Sequence, residues 1–396
     1  MISVEDAIAR IASCAVPLDS EVIPLEQAHR RILARDVTAR RDQPPAPVSA
    51  MDGYAVRLAD ADHAPVMLRV IGTSPAGHPF AGMVGQGEAI RILTGGVVPD
   101  GADAIVLQED ADSDGPRVTL RAPATARHIR KAGLDFHSGD VLAASGRRLT
   151  ARDLSSIAAG DVASVEVRRR PVIAFAATGD ELARPGEAHG PGGIVASTGF
   201  GLSALIEIWG GVPLDLGIIP DSIEALQRIP EQIISADVVV TMGGASVGDH
   251  DLVQRALVPK GFALDFWKIA MRPGKPLIFG RLNGRPLLGL PGNPVSAYIC
   301  AMLFLQPLIA ALEGVAFEQP LKSVRLAHAL PANDSRQDYL RARLFRRNNE
   351  VFAESFSLQD SSMQSALARA DALIVRPPHA QALVEGDRVS IIRLID

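Results

Sequence analysis

Two aspartates flank a histidine, Asp249-His250-Asp251, at the end of "ADVVVTMGGASVGDHDLV", where a bare apolar run passes through a glycine-rich turn into a helix. Backbone N–H groups and the helix dipole converge in such a turn, and the convergence favours an anion. The run from Gly243 through Gly244 and Ser246 to Gly248 lacks both the lysine of a P-loop and the spacing of a dinucleotide site, so it indicates a phosphate or similar oxyanion and no more. A tight strand-to-helix turn, with Asp249 or Asp251 as N-cap, is the plain alternative.

Three other loops carry chemistry. In "GLPGNP", Asn293 suits an N-cap and Pro294 a first helical position, while two prolines around Gly-Asn give a rigid turn that presents backbone to a ligand. "FWKIAMRPGKP" spaces Lys268, Arg272 and Lys275 as a basic clamp for an oxyanion, although solvated surface charge is the usual reading of such residues. "ATGDEL" ends a strand with Asp180 and Glu181, and Asp221 follows the run "LDLGII". Asp221 with Glu224 also fits a capping box. Together with Asp251, these place acids at three strand ends beside an anion site, which suggests a divalent cation, and oxygen-only ligands favour Mg²⁺ over zinc. Asp52, Thr94 and Asp135 each occupy a turn sequence, and spacing alone gives them no role. The nine histidines form no ligand cluster, and only His250 stands among acids.

From Pro171 onward, uninterrupted apolar strands alternate with amphipathic helices, the pattern of a parallel sheet covered on both faces. Ligands bind at the carboxyl ends of strands in such a sheet, where these loops fall. "KPLIFGRLNGRPLLGLPGNP" predicts a hairpin across Asn283-Gly284 leading into a helix over 295–312, which Gly314 ends. Upstream, Ser3 with Asp6 predicts a helix start, residues 44–110 read as a small β domain, and Thr150 with Asp153 as a capping box closed by Gly160. The last ~80 residues return to strands with one helical stretch, "SMQSALARA", a separate β-rich domain of ordinary size.

At 396 residues the chain exceeds a single core, and 47% hydrophobic with 4% aromatic residues describes an aliphatic globular protein. A net charge of -5 offers nucleic acid no general attraction. Cys14 and Cys300 form no C-x-x-C pair, which argues against a disulfide framework or a thiolate zinc site and for a cytoplasmic protein. Acids near the N-terminus argue against a signal peptide, and "AYICAMLFLQPLIAAL" is too short and interrupted to span a bilayer. No membrane association is expected.

The stretches "PVSAMDGYAV", "IRILTGGVVPDGADAIVLQED", "ATGDEL", "LGIIPDS", "TMGGASVGDHD", "FWKIAMRPGKP" and "LPGNPVSA", in this order, resemble the molybdopterin molybdenumtransferases, the MoeA-type insertases related to the C-terminal domain of gephyrin. The resemblance implies an α/β multidomain subunit. Its parts are a doubly wound, mostly parallel molybdopterin-binding domain (1–20 and 170–318), a small linking domain (21–40 and 138–169), an inserted β domain (41–137) and a C-terminal β-barrel-like domain (319–396). It further implies an elongated homodimer and insertion of molybdenum from molybdate into adenylylated molybdopterin, with Mg²⁺ and release of AMP. A molybdopterin adenylyltransferase and recipient molybdoenzymes would be partners.

By motif position, Gly243, Gly244, Ser246, Pro291, Asn293 and Pro294 would hold the pterin-phosphate part, and Asp221 and Asp251 the metal. Lys268, Arg272 and Lys275 would attract oxyanions, while Asp52, Thr94, Asp135 and Glu181 complete the cleft, the first three from the partner subunit. Two departures stand out: Ala196-Ser197-Thr198 replaces the family's acid-hydroxyl-asparagine run, and Arg272 its usual lysine. A molybdopterin-binding scaffold without turnover and a different nucleotide-cleaving enzyme are the alternatives.

Overall fold

Alternation along the apolar runs decides the central architecture. The computed structural model describes residues 1–188, 190–243 and 252–394, and the chain divides into two units, 1–20 with 168–396, and 21–167. The first unit contains strands β1 (Val172–Thr178), β2 (Val212–Ile219), β3 (Val238–Met242), β4 (Phe262–Trp267), β5 (Ile278–Leu282) and β6 (Arg285–Leu290) in one sheet of order β2-β1-β3-β6-β5-β4. The first four are parallel, and β5 and β4 add an antiparallel edge.

Successive side chains of a strand point to opposite faces. Val238, Val240 and Met242 of β3 therefore enter one core and Val239 the other. The first core is shared with α1 (Val4–Ser13), α2 (Thr198–Trp209) and the long helix α4 (Pro294–Leu312); the second is closed by α3 (Leu252–Leu257) and two short helices after β2. Both faces are covered, as uniformly apolar parallel strands require.

Local signals act where the sequence places them. Ser3 Oγ accepts from Asp6 N at 3.0 Å and starts α1. The β5–β6 hairpin turns on Asn283 (φ +50°) and Gly284 (φ +84°), the double positive φ of a type I′ turn. Helix α4 begins at Pro294 and widens to a π-helix over Ala301–Leu305. Pro307 has no N–H to offer the carbonyl one turn back, so the regular ladder cannot run through. This is the one helix among the described residues long and apolar enough to cross a membrane, and 83% of it is buried inside the unit.

The C-terminal part of this unit is a closed five-stranded barrel. Strands β7 (Leu321–Leu326), β8 (Gln337–Arg347), β9 (Glu350–Ser355), β10 (Ala372–Arg376) and β11 (Arg388–Arg393) pair in the circuit β8-β9-β7-β11-β10-β8. The predicted helix in "SMQSALARA" is the short α5 (Gln364–Ala368). Ala342, Ile374 and Ile391 fill the barrel, whereas Tyr339, Leu373 and Ile392 point outward into the α/β core.

The second unit has separate cores. Residues Gly53–Val56, Val66–Ser74, Glu88–Ile92, Ala104–Leu107, Ala111–Ser113 and Arg117–Leu120 make a six-stranded sheet with its own apolar interior. Ile23, Leu33, Val37, Leu149, Ile157 and Val165 form another around the helix Ala151–Ala159. Both halves of a capping box are present at that helix, Thr150 with Asp153, and Gly160 follows as its C-cap. Asp153 also accepts from Arg147 Nε at 2.9 Å. Burial pushes the Asp153 carboxyl up, but the hydrogen bonds from Arg147 and Thr150 outweigh it and hold the group down at about 2.

Asp153→Ala is therefore expected to destabilise the 21–167 unit by about 1 kcal/mol at neutral pH, read from its urea transition. A carboxyl depressed in the folded state stabilises fully above its unfolded pKa and loses that contribution as pH falls through the folded one. The difference between wild type and Asp153→Asn should accordingly shrink between about pH 4 and pH 2, and a difference independent of pH would contradict the assignment.

Candidate functional site

Parallel pairing brings the loaded loops to one edge. Ala177 lies opposite Met242, Met242 opposite Leu290, and Thr178 opposite Ile219, so β1, β2, β3 and β6 end together. Gly243, just past β3, has φ +98° and donates its N–H to Leu290 O at 3.2 Å. A Cβ there would stand 2.5 Å from Thr178 O, so only glycine fits at 243, while a Cβ on Gly292 of the next turn would meet Gly243 Cα at 3.5 Å, an ordinary contact. Among the described residues, the hydroxyls of Thr178 and Thr241 are buried at this edge without a hydrogen-bond partner. Buried hydroxyls normally find one, and two such orphans near the ends of the adjacent strands β1 and β3 mark the edge as polar and unfinished. Gly244, Ser246 and Asp251 lie outside the described residues.

The acids converge as the strand order requires. Asp221 N donates to Asp180 Oδ1 at 3.0 Å, which holds the loop after β2 against the loop after β1. Burial raises the Asp221 carboxyl pKa, and the charges of Asp180 and Glu181 raise it further. The capping role that was the alternative for Asp221 falls to Ser222, whose hydroxyl accepts from Ala225 N at 3.2 Å and fits the first turn one residue later. Asp221 is thereby left to the acid group. Among the described residues no three acids, histidines or cysteines already converge in a metal cage. Crowded carboxylates with an incomplete shell fit Mg²⁺, which takes one or two carboxylates and keeps positions for water and phosphate oxygens.

The three basic residues are placed differently. Lys268 has φ +66° and sets its ammonium 3.6 Å from the Trp267 ring centre. Lys275 has no hydrogen-bond or ion-pair partner for its ammonium among the described residues, and its carbonyl accepts from Ile269 N at 3.0 Å. Arg272, read from sequence as part of a free clamp, is engaged: it pairs with Asp334 at 3.4 Å and with Asp338. Backbone pairing of Met271-Arg272 with Gln337-Asp338 brings these acids within reach, a contact between segments 66 residues apart.

Pro291, Asn293 and Pro294 form the turn from β6 into α4, with Asn293 at the N-cap position and Pro294 at the first helical one. Asn293 makes no side-chain cap; its amide donates to Ser361 Oγ at 3.0 Å, while Ser361 O takes the Val295 N–H at 3.1 Å. A barrel loop thus supplies the cap. Ser197, in the Ala196-Ser197-Thr198 run, accepts from Gln364 of α5. A 470 Å³ cavity beside it is lined mainly by α2, α4 and α5, including Leu202, Pro294, Tyr298 and Leu367.

In the 21–167 unit, Asp52 and Thr94 meet. Asp52 Oδ1 accepts from Thr94 N at 2.7 Å and from Thr94 Oγ1 at 2.8 Å, and the backbone bond leads in lowering the carboxyl pKa. Asp135 is exposed, donates its N–H to Gln43 O at 2.9 Å, and among the described residues gives its carboxylate no partner. The sequence alone gives no signal for Asp334, Asp338 and Ser361. Asp180 stands beside Glu181 in "TGDEL" and is legible as an acid after a strand; Asp338, like Arg341 and Arg376, is a charged residue buried in a barrel strand, which only the structure shows.

Three family models match the chain: the MoeA N-terminal region (domain I and II) over 2–160, a probable molybdopterin binding domain over 174–311, and the MoeA C-terminal region (domain IV) over 323–394. Molybdopterin molybdenumtransferase from Haemophilus influenzae is 34% identical across 95% of this chain and 94% of its own length. The enzyme of the same name from Bacillus subtilis is 31% identical across 99% and 94%. A molybdopterin biosynthesis moea protein from Pyrococcus horikosii superposes with a TM-score of 0.87 at 30% identity over 100% of both chains.

Removing one charge from the acid group tests its character. Asp221→Asn is expected to melt no lower than the wild type, since it relieves repulsion from Asp180 and Glu181, and millimolar Mg²⁺ should raise the melting temperature of the wild type but not of the variant. A variant that Mg²⁺ stabilises as much as the wild type would place the cation elsewhere.

Proposed function

Because the chain belongs to the molybdopterin molybdenumtransferase family, enzymes of molybdenum-cofactor biosynthesis, we propose that it inserts molybdenum from molybdate into adenylylated molybdopterin, with Mg²⁺ and release of AMP. The observation that carries this reading is the acid group at the sheet edge, Asp221 crowded by Asp180 and Glu181, beside glycine-rich turns that expose backbone.

Molybdate and both phosphates of the substrate are anionic, so assembling them needs positive charge and N–H donors in a fixed frame. Gly243 and the Pro291–Pro294 turn supply the frame, with Gly244 and Ser246 continuing it in sequence. Lys275, whose ammonium is uncommitted among the described residues, and Lys268 attract molybdate, and Arg272 joins them when it leaves its acids. Asp221 and Asp251, with Glu181 completing the cleft beside them, would hold Mg²⁺, which would supply positive charge for the phosphoanhydride oxygens. Asp52, fixed by Thr94, and Asp135 belong to the same reaction in the homodimer that the family resemblance implies. An upstream molybdopterin adenylyltransferase would supply the substrate, molybdoenzymes would receive the product, and the setting is cytoplasmic.

Purified protein incubated with adenylylated molybdopterin, molybdate and Mg²⁺ is expected to release AMP and to reconstitute an apo-molybdoenzyme. Asp221→Ala should lower AMP release roughly 10²-fold, the scale of losing one preorganised electrostatic contact, with the fold retained by circular dichroism. Tight molybdopterin binding with no AMP in the wild type would replace this reading with that of a scaffold.

A further inference from the structure

Three arginines and two aspartates meet where the segment Met271-Arg272 joins the start of β8. Arg272, with 48% of its side chain exposed, reaches both Asp334 and Asp338. Each acid has a second arginine at hand. Asp334 accepts from Arg336 Nη2 at 3.0 Å and from Arg336 N at 2.8 Å. Asp338 stands directly opposite Arg376 in the antiparallel pairing of β8 with β10.

Asp338 and Arg376 are 4% and 3% exposed, and each keeps one buried polar atom unpartnered among the described residues: Asp338 Oδ1 and Arg376 Nη1. The other terminal nitrogen of Arg376 donates to Pro331 O at 3.0 Å and Gln381 O at 2.6 Å, which anchors the guanidinium beside β8. Stranding a buried carboxylate without a cation is strongly unfavourable. Here the departure of Arg272 strands neither acid, because Arg336 and Arg376 remain. Arg272 is the exposed and replaceable member of the group, and with three guanidiniums to two carboxylates the group holds one positive charge in excess.

We propose that Asp338 is a positioning residue that competes with an incoming tetrahedral oxyanion for the Arg272 guanidinium, and that Arg376 takes over the Asp338 carboxylate when Arg272 leaves it. This rests on the reading of segment 268–275 as the oxyanion clamp. Backbone pairing of Arg272 with Asp338, and the bond from Gln337 N to Ala270 O at 2.9 Å, fix the main chain while the side chains exchange partners. A lysine at 272, a point charge, could not hold both acids in one fork, so the competition depends on the planar guanidinium of Arg272.

The test is calorimetric titration of the full-length protein with sodium molybdate alone. Asp338→Asn should tighten molybdate roughly fivefold or more, the low end of a coupling between two ligands. Asp334→Asn, at an exposed acid that leaves folding secure, should act in the same direction, and Arg376→Gln should weaken molybdate by binding Asp338 more firmly to Arg272. All three effects should vanish in an Arg272→Ala background. Weaker binding in both aspartate variants, or gains that persist without Arg272, would overturn the competition. Unchanged affinity in Arg272→Ala alone would instead overturn the placement of the oxyanion at this segment.

Discussion

The parallel ladder between β1, β3 and β6 is the constraint on which the rest of the structure depends. Its register ends three strands within a residue of one another, so that the loops carrying Asp180, Gly243 and Gly292 leave from a common edge. Gly243 then sits against Thr178 O with no room for a side chain, and the neighbouring glycine-rich turn closes onto it. A parallel sheet buried on both faces has no other place to present polar chain, which is why buried threonine hydroxyls, acids and glycines gather there.

Charge at this edge is separated rather than neutralised. Burial raises the proton affinity of Asp221 and the charges of Asp180 and Glu181 raise it further, while Arg272 is drawn off to acids of the barrel. The acid group thus retains an electrostatic demand for a cation, and the basic segment retains a lysine for an anion. Such unmet demands cost stability in an isolated chain and are typical of places where a ligand completes the set. The barrel contributes more than a terminal appendage would: Ser361 caps α4, Gln364 holds Ser197, and Asp338 engages Arg272.

Local chemistry was readable in the sequence because it depends on neighbours. Apolar alternation gave the sheet, Thr150 with Asp153 the capped helix, Asn283-Gly284 the hairpin, and seven ordered motifs the molybdopterin molybdenumtransferase family. An expected cap, Asn293, and an alternative one, Asp221, go unused for the same local reason. Asp221 and Asn293 are both competent N-caps, but Ser222 is nearer the first turn and a barrel loop reaches Val295, so neither side chain is used that way.

By itself, then, the sequence determined which residues carry charge, where strands and helices begin, and that glycine-rich turns follow apolar strands. Only the tertiary structure decided which charges meet. Asp221 finds Asp180 across 41 residues because β2 lies beside β1, and Arg272 finds Asp338 across 66 because a two-residue strand docks on the barrel. Coulombic partners are set by distance in space, and strand order, which no local pattern encodes, sets that distance.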